Sequence, residues 1–333
     1  MRIGIDASRA FGRDRTGTEN YSYEIITRML KLPQAKKHTW ILYTKENIKL
    51  PYLWTQVGLA YKTWTDNLDV LWVPAHTLPV LARPGLAKVV TIHGIEYEWL
   101  PAYENFLQRW YLPLSTKFAC WAADKIIAVS KFTRDQLNER LGADPQKIRV
   151  IYEGINYIEP ERLTKVLERY ILFIGTIQPR KNLVRLIEAL PAGIKLIIAG
   201  KLGWKYQDVL DAAKGKNVVF TGFVSDNERN QLLKNALAYV QPSITEGFGL
   251  PVLEAMAAGI PVISSNGGAL PEVVGDAGLL FNPFDQLDLL AKLTKIISNP
   301  KLRKKLMTKG HLRTRQFSWE KAARETYNIL TRD

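Results

Sequence analysis

Short runs of consecutive apolar residues recur along this chain, separated by stretches whose apolar positions fall three or four apart. In the first half the runs are RIGIDAS from Arg2, WILYT from Trp40, DVLWVP from Asp69, KVVTIHG from Lys88, KIIAVS from Lys125 and IRVIYEG from Ile148. Helical spacing is clearest over Thr18–Leu30, Tyr103–Ala123 and Lys131–Leu141. Near-continuous apolar strands separated by helices predict a parallel sheet covered on both faces.

The pattern then restarts. Asn156–Arg169 is polar and charged, contains Pro160, and reads as a linker. A second series opens with YILFIGT from Tyr170. It continues through KLIIAG from Lys195, NVVFTG from Asn217, LAYVQPS from Leu237, IPVISS from Ile260 and GLLFNP from Gly278. Ser225 followed by Glu228 is a capping box that opens a helix to Asn235. The expected fold is α/β, two Rossmann-like parallel-sheet domains at 1–165 and 166–317 facing across a cleft. The amphipathic segment Ser318–Leu330 is expected to pack back on the first domain, which assigns 318–333 to it. Ligands of such sheets bind beyond the carboxyl ends of the strands, so the cleft is the expected site.

Composition narrows the class. The chain has 333 residues, 47% hydrophobic and 23% charged, enough for two cores. Its one cysteine, Cys120, excludes an internal disulfide, suits a reducing compartment and argues against a cysteine-ligated metal. Neither an apolar signal region after Met1 nor a run of about 18 apolar residues is found, so a cytoplasmic chain is expected. The net charge is +14, and Lys292–Arg324 alone holds eleven bases against the single acid Glu320. That excess reads as a solvated helix face or as attraction to an anionic surface, where each base adds roughly 1 kcal/mol near a membrane. No nucleic-acid motif accompanies it, so nucleic acid is not an expected partner.

The candidate chemistry centres on ITEGFGLPVLEAMAAGIPVI, Ile244–Ile263. Glu246 precedes Gly247, Phe248 and Gly249, and Pro251 follows Leu250 where a helix should start. The glycines let backbone approach a ligand, and free N–H groups at that helix end would face an anion. Glu246 would lie beside the anion, and Glu254, in the first turn, could accept two ribose hydroxyls. Alternatively, both carboxylates merely complement the helix dipole. In FIGTIQPRKNLVRLIEAL, Phe173–Leu190, a strand ends at Gly175 and Thr176 and a short loop carries Arg180 and Lys181. A guanidinium fork and an ammonium could together neutralise a diphosphate; two solvated bases at a helix start are the alternative.

Two glutamates spaced in this way around Gly-Phe-Gly resemble the nucleotide-sugar motif of retaining GT-B glycosyltransferases, family 4, and the resemblance runs along nearly the whole chain. It implies that Glu246 contacts the donor sugar, that the backbone of Gly247–Leu250 holds sugar hydroxyls or phosphate, and that Glu254 binds the ribose. Adjacent Arg180 and Lys181 resemble a subgroup rich in mannosyl- and rhamnosyltransferases of surface polysaccharide assembly. The resemblance also implies that Gly222, Phe223 and Val224 meet the nucleobase. Ser264–Leu270 with Pro271 and Glu272 would lie near the donor phosphates and ribose. It further implies that a glycine loop at Gly17 faces the diphosphate and that His93 contacts the sugar near the reacting carbon. Glu96 would face the acceptor. Ser130, which precedes Lys131, reads chiefly as a helix cap.

The expected activity is therefore transfer of a sugar, mannose or a related hexose, from a GDP- or UDP-sugar to a hydroxyl of a glycan or lipid-linked acceptor. Configuration would be retained by a front-face route in which the leaving phosphate receives the acceptor proton. No cofactor or metal is expected, since neither an Asp-x-Asp motif nor a His/Cys cluster is present. A GT-B sugar-nucleotide epimerase and an inactive sugar-nucleotide-binding subunit are the alternatives. The aromatic stretch Ile95–Leu114 could form an acceptor wall or a lipid-facing helix, with peripheral contact at an anionic inner membrane face.

Overall fold

The computed structural model describes residues 1–12, 15, 17–44, 53–95, 106–156 and 170–331. The chain forms two compact units, Met1–Gly154 with Ser318–Asp333, and Ile155–Phe317. Beyond Asn156, the linker expected at 156–169 lies outside the described residues, and so does the expected boundary at 165.

The first unit contains β1 (Arg2–Asp6), α1 (Gly17–Leu30), β2 (Thr39–Tyr43), α2 (Ala60–Thr65), β3 (Val70–Val73), β4 (Ala87–Ile92), α3 (Phe106–Ala122), β5 (Lys125–Ala128), α4 (Lys131–Leu141) and β6 (Ile148–Val150). Among the described residues its six strands are all parallel, in the order β2-β1-β3-β4-β5-β6. Ile3, Ile5, Leu71, Trp72, Val90, Ile92, Ile126 and Ile127 are fully enclosed, as apolar strands covered on both faces must be. Ser130 caps α4 by accepting from the Thr133 N–H at 2.9 Å, and Gly142 ends it with φ of 63°.

The second unit contains β7 (Tyr170–Ile174), α5 (Leu183–Glu188), β8 (Lys195–Ala199), α6 (Gln207–Ala213), β9 (Val218–Gly222), α7 (Asp226–Asn235) and β10 (Ala238–Gln241). It continues with α8 (Leu250–Ala257), β11 (Val262–Ser265), α9 (Leu270–Val274), β12 (Gly278–Phe281), α10 (Gln286–Ser298) and α11 (Pro300–Thr314). The sheet order is β12-β11-β10-β7-β8-β9, again parallel throughout. Strand order reverses between β7 and β10, and loops that leave neighbouring strands in opposite directions open a crevice at such a point. The expected capping box opens α7: Ser225 and Glu228 each bond the other's backbone N–H. Neither unit contains a described helix long and apolar enough to cross a membrane.

The chain returns to the first unit through α12 (Trp319–Thr331), which packs on α1. Trp319 is buried, with its ring 6.1 Å from that of Tyr21, and Arg28 donates to Glu320 at 2.8 Å. The start of α12 lies against Gly154, where a Cβ would come within 2.1 Å of the Trp319 nitrogen. Only a residue without a side chain fits there, because backbone atoms cannot rotate away. Gly154→Ala should therefore destabilise the first unit by about 1–3 kcal/mol in urea unfolding, the usual cost of overpacking. Wild-type stability in that variant would show that α12 is not seated at this point.

Candidate active site

Arg180 and Lys181 lie in a 3₁₀ turn, Pro179–Lys181, after β7, and Glu246 lies in the loop after β10. These are the two strands at which the sheet order reverses, so Glu246 meets an adjacent basic pair far from it in sequence. Arg180 Nη1 donates to Glu246 Oε2 at 2.7 Å, and Lys181 Nζ donates to Oε1 at 2.5 Å. Glu246 and Lys181 are both buried. Burial acts to raise the Glu246 carboxyl, but the charges of Arg180 and Lys181, with hydrogen bonds from Lys181 and Ser243, override it and hold the group at about 2. The carboxylate is therefore ionised at any physiological pH.

Strand β10 supplies the rest of its shell. Tyr239, Gln241 and Ser243 alternate along one side of the strand and its extension. The Tyr239 hydroxyl donates to Gln241 Oε1, and Gln241 Nε2 donates to Ser243 Oγ at 2.7 Å and to Glu246 Oε1 at 2.9 Å. Ser243 Oγ donates to the same oxygen at 2.6 Å. Oε1 thus accepts three hydrogen bonds, and Tyr239, kept protonated because burial raises its hydroxyl well above the usual range, ends the chain. Sequence reading missed all three residues. Their signal was the run of polar groups at every second position of a strand that is otherwise fully enclosed.

The backbone around Glu246 is clamped from two sides. A Cβ on Gly267 would lie 2.0 Å from the Ile244 carbonyl, and one on Gly268, whose φ is 62°, would lie 2.4 Å from that of Glu246. Ala269 N–H donates to the Glu246 carbonyl at 2.9 Å. The loop expected near the donor phosphates therefore also braces the Glu246 backbone. On the other side Ile244 N–H donates to the Arg180 carbonyl at 2.8 Å. Asn182, at φ of 55°, donates to the carbonyls of Pro242 at 3.1 Å and Pro283 at 2.8 Å. Asn182 is a further positioning residue missed in the sequence; its signal was the tolerance of asparagine for positive φ after a short turn.

The other donor-site candidates of this unit fall into three places. Gly175 borders the cluster, because a Cβ there would lie 3.9 Å from Lys181 Cε, and Thr176 beside it is exposed. Gly249 takes φ of 114° to start α8, where a side chain would meet Leu270, and Leu250 and Pro251 follow in the first turn. Gly247 precedes it, and Phe248 turns inward against Phe317 with ring centroids 5.8 Å apart, so its side chain belongs to the core. Phe223 is exposed after β9 with Lys201 Nζ 4.6 Å above its ring, and Val224 is half-buried. Glu254, on α8, pairs with a different base from Glu246. Its Oε1 is 3.2 Å from an Arg229 guanidinium nitrogen on α7, and burial raises its carboxyl despite that opposing charge. Arg229 was not singled out in the sequence, where nothing local ties it to Glu254.

In the first unit His93 follows β4. Its Nε2 donates to the Pro74 carbonyl at 3.0 Å, and its Nδ1 lies 3.1 Å from Glu153 Oε1. Both ring nitrogens are engaged inside the unit, so a sugar that bonded the ring would take the place of Pro74 or Glu153. Tyr21 meets the ring edge-on at 4.7 Å. His76 lies 5.7 Å away, and burial, with His93 and Arg9 nearby, lowers it to about 3. Glu153 is buried just past β6, where it had been read only as part of a strand. Gly17 is exposed at the start of α1, and a Cβ there would meet nothing. Glu96 lies outside the described residues.

The family described as "Glycosyl transferases group 1" matches residues 158–313, and "Glycosyltransferase Family 4" matches residues 18–157. The chain is 32% identical over 262 residues to O-antigen chain mannosyltransferase B of Escherichia coli, covering 72% of this chain and 69% of that protein. It is 28% identical over 318 residues to O-antigen chain mannosyltransferase RfbU of Salmonella typhimurium, covering 85% and 87%. Among solved structures, sucrose-phosphate synthase from Thermosynechococcus elongatus superposes with a TM-score of 0.78 at 19% identity, covering 98% of each chain, a likeness of fold. Two parallel six-stranded units of GT-B type, and sequence matches along both, place the chain in the glycosyl transferases group 1 family, as a glycosyltransferase.

Proposed function

We propose that this enzyme moves a mannosyl or related hexosyl group from a nucleoside diphosphate to a hydroxyl of a glycan or lipid-linked acceptor, with retention of configuration. The observation that carries the reading is the joining of Arg180 and Lys181 to Glu246 where the sheet order reverses. Two bases held there supply counter-charge for a diphosphate leaving group without a metal ion. Their alignment is set before the donor arrives, which is the condition for electrostatic stabilisation of a developing charge. The mannosyl preference rests on the names of the two O-antigen relatives.

The Glu246 carboxylate accepts one hydrogen bond from each base. A bound diphosphate takes over part of that role, and the carboxylate is then offered to hydroxyls of the donor sugar. Oxygen Oε1 stays anchored by Gln241 and Ser243 during the exchange. Departure of the nucleoside diphosphate leaves charge on its terminal phosphate, which Arg180 and Lys181 stabilise as it takes the acceptor proton.

Three measurements test this. A thermal-shift panel of GDP-, UDP-, dTDP- and ADP-sugars should single out one donor, since stabilisation grows with ligand concentration over Kd. The double variant Arg180→Ala, Lys181→Ala should lose about 100-fold or more in both donor hydrolysis and transfer, as removal of one such donor group does elsewhere. Near-wild-type turnover would sink the assignment. Glu246→Gln should lower stability at neutral pH by about 3 kcal/mol and leave buried Lys181 and half-buried Arg180 facing an amide. It should also flatten the acid limb. A carboxyl held at about 2 against 4.5 when unperturbed contributes its stability above pH 4.5 and loses it as pH falls towards 2. Urea titrations across that range read both effects, and an unchanged acid limb would mean that Glu246 is not the group responsible.

A further inference from the structure

Two carboxylates of the second unit, one just before α8 and one on it, differ sharply in their partners. Glu246 Oε1 accepts three hydrogen bonds, and Oε2 accepts a fourth from Arg180. The Glu254 carboxylate, one turn into α8, has an ion pair to Arg229 Nη1 at 3.2 Å and no hydrogen bond among the described residues. An ionised carboxylate offers about four acceptor sites. The Glu254 side chain is 20% exposed, enough for a ligand to reach it, and open acceptor sites on a group so shielded call for a donor.

Arg229 accounts for how that carboxylate is kept ready. Its Nη2 lies 3.3 Å from Asp226 Oδ1 in the first turn of α7, its Nη1 faces Glu254, and its Nε is enclosed without a hydrogen-bond partner. A guanidinium used for stability alone would turn two N–H groups on one carboxylate, the pairing that arginine makes most strongly. Here it is shared between an acid of its own helix and one of α8, and an enclosed N–H left unbonded is unfavourable. Burial raises the Glu254 carboxyl, Arg229 counters it, and the Asp226 charge adds a smaller push upward. Arg229 is therefore the charge that favours the ionised form, the form in which both oxygens accept. Position suggests the ligand. Helix α7 follows β9, whose carboxyl end carries the exposed Phe223, and α8 follows β10 and the Glu246 cluster. The diphosphate assigned to Arg180 and Lys181 carries a nucleoside, and the part of a nucleoside that offers two adjacent donors to two carboxylate oxygens is the ribose diol.

We propose that Arg229 is a positioning residue of the donor site, which holds the Glu254 carboxylate in place as the acceptor of the 2′- and 3′-hydroxyls of the donor's ribose. The proposal rests on the donor reading above and adds to it the role of a base that acts through Glu254 rather than on the ligand.

The test is calorimetric binding of GDP, UDP and ADP, each beside its 2′,3′-dideoxy counterpart, to the full chain. Wild type should bind its preferred nucleotide about tenfold or more tightly than the dideoxy form, because hydrogen bonds to a charged group are the strong ones. Arg229→Leu should weaken the diol nucleotide about tenfold and leave the dideoxy form within about twofold of wild type. Arg229→Lys should recover part of that loss, since an ammonium supplies the charge without the fork. Adding Arg229→Leu to Glu254→Gln should cost little beyond Glu254→Gln alone, as expected of two residues that act through one contact. Thermal unfolding, with the retained dideoxy affinity, checks that each variant is folded. Equal weakening of both nucleotides by Arg229→Leu would make the pair a brace between α7 and α8. Additive losses would separate Arg229 from Glu254, and unchanged diol affinity would leave Arg229 without a role. Each of these overturns the proposal and leaves the donor reading standing. Failure of wild type to bind any of the three nucleotides also removes the proposal, whereas the donor reading itself falls only if the nucleotide-sugar panel shows no thermal shift.

Discussion

Burying the Glu246 carboxylate is the constraint around which the second unit is arranged. A carboxylate removed from water without partners costs several kcal/mol, and the buried Lys181 and half-buried Arg180 beside it add to that cost. Their mutual attraction offsets this only at short range and with the remaining lone pairs filled. The lone pairs are filled by Gln241 and Ser243, and Gln241 is fixed by Tyr239. The short range is enforced by backbone. Gly267 and Gly268 press on Ile244 and Glu246, and Asn182 ties the basic turn to the carbonyls beyond β10 and β12. These elements make little sense as separate features and follow directly from one charge held in a crevice.

The first unit solves a different problem. Its polar centre is His93, held between the Pro74 carbonyl and Glu153 under the edge of Tyr21. Fixing an imidazole requires placing one strand end, one loop and the stretch after β6, and that last stretch is where α12 is seated, against Gly154. Closure of this unit by the end of the chain and orientation of its histidine therefore depend on the same few residues. The two centres also differ in kind, an ion-pair cluster around one carboxylate in one unit and a histidine ring held at both nitrogens in the other.

What the sequence showed follows from the range of each interaction. The strands, the capping box at Ser225 and the cap at Ser130 depend on neighbours within four residues, so pattern alone located them. Arg180, Lys181 and Glu246 were visible because their loops carry a recognisable string. That they bond each other was not visible, since 65 residues separate Lys181 from Glu246 and only the strand order brings them together. Glu153 and Arg229 stayed hidden for the same reason. Tyr239, Gln241 and Ser243 are the instructive case, because alternating polar side chains on an enclosed strand must be bonded to something. That requirement was legible, although its target was not.

Net charge was a poor guide to either site. The densest bases, over 292–324, project largely into solvent or bond to carbonyls and exposed acids, as Arg313 does with Val273 and Lys309 with Asp276. Bases so placed are screened within roughly 10 Å at moderate salt and interact weakly with any one anion. Arg180 and Lys181 contribute little to the total but act where water is excluded, so each is worth far more to a bound phosphate. Location and burial, rather than the number of charges, separate a binding surface from a merely soluble one.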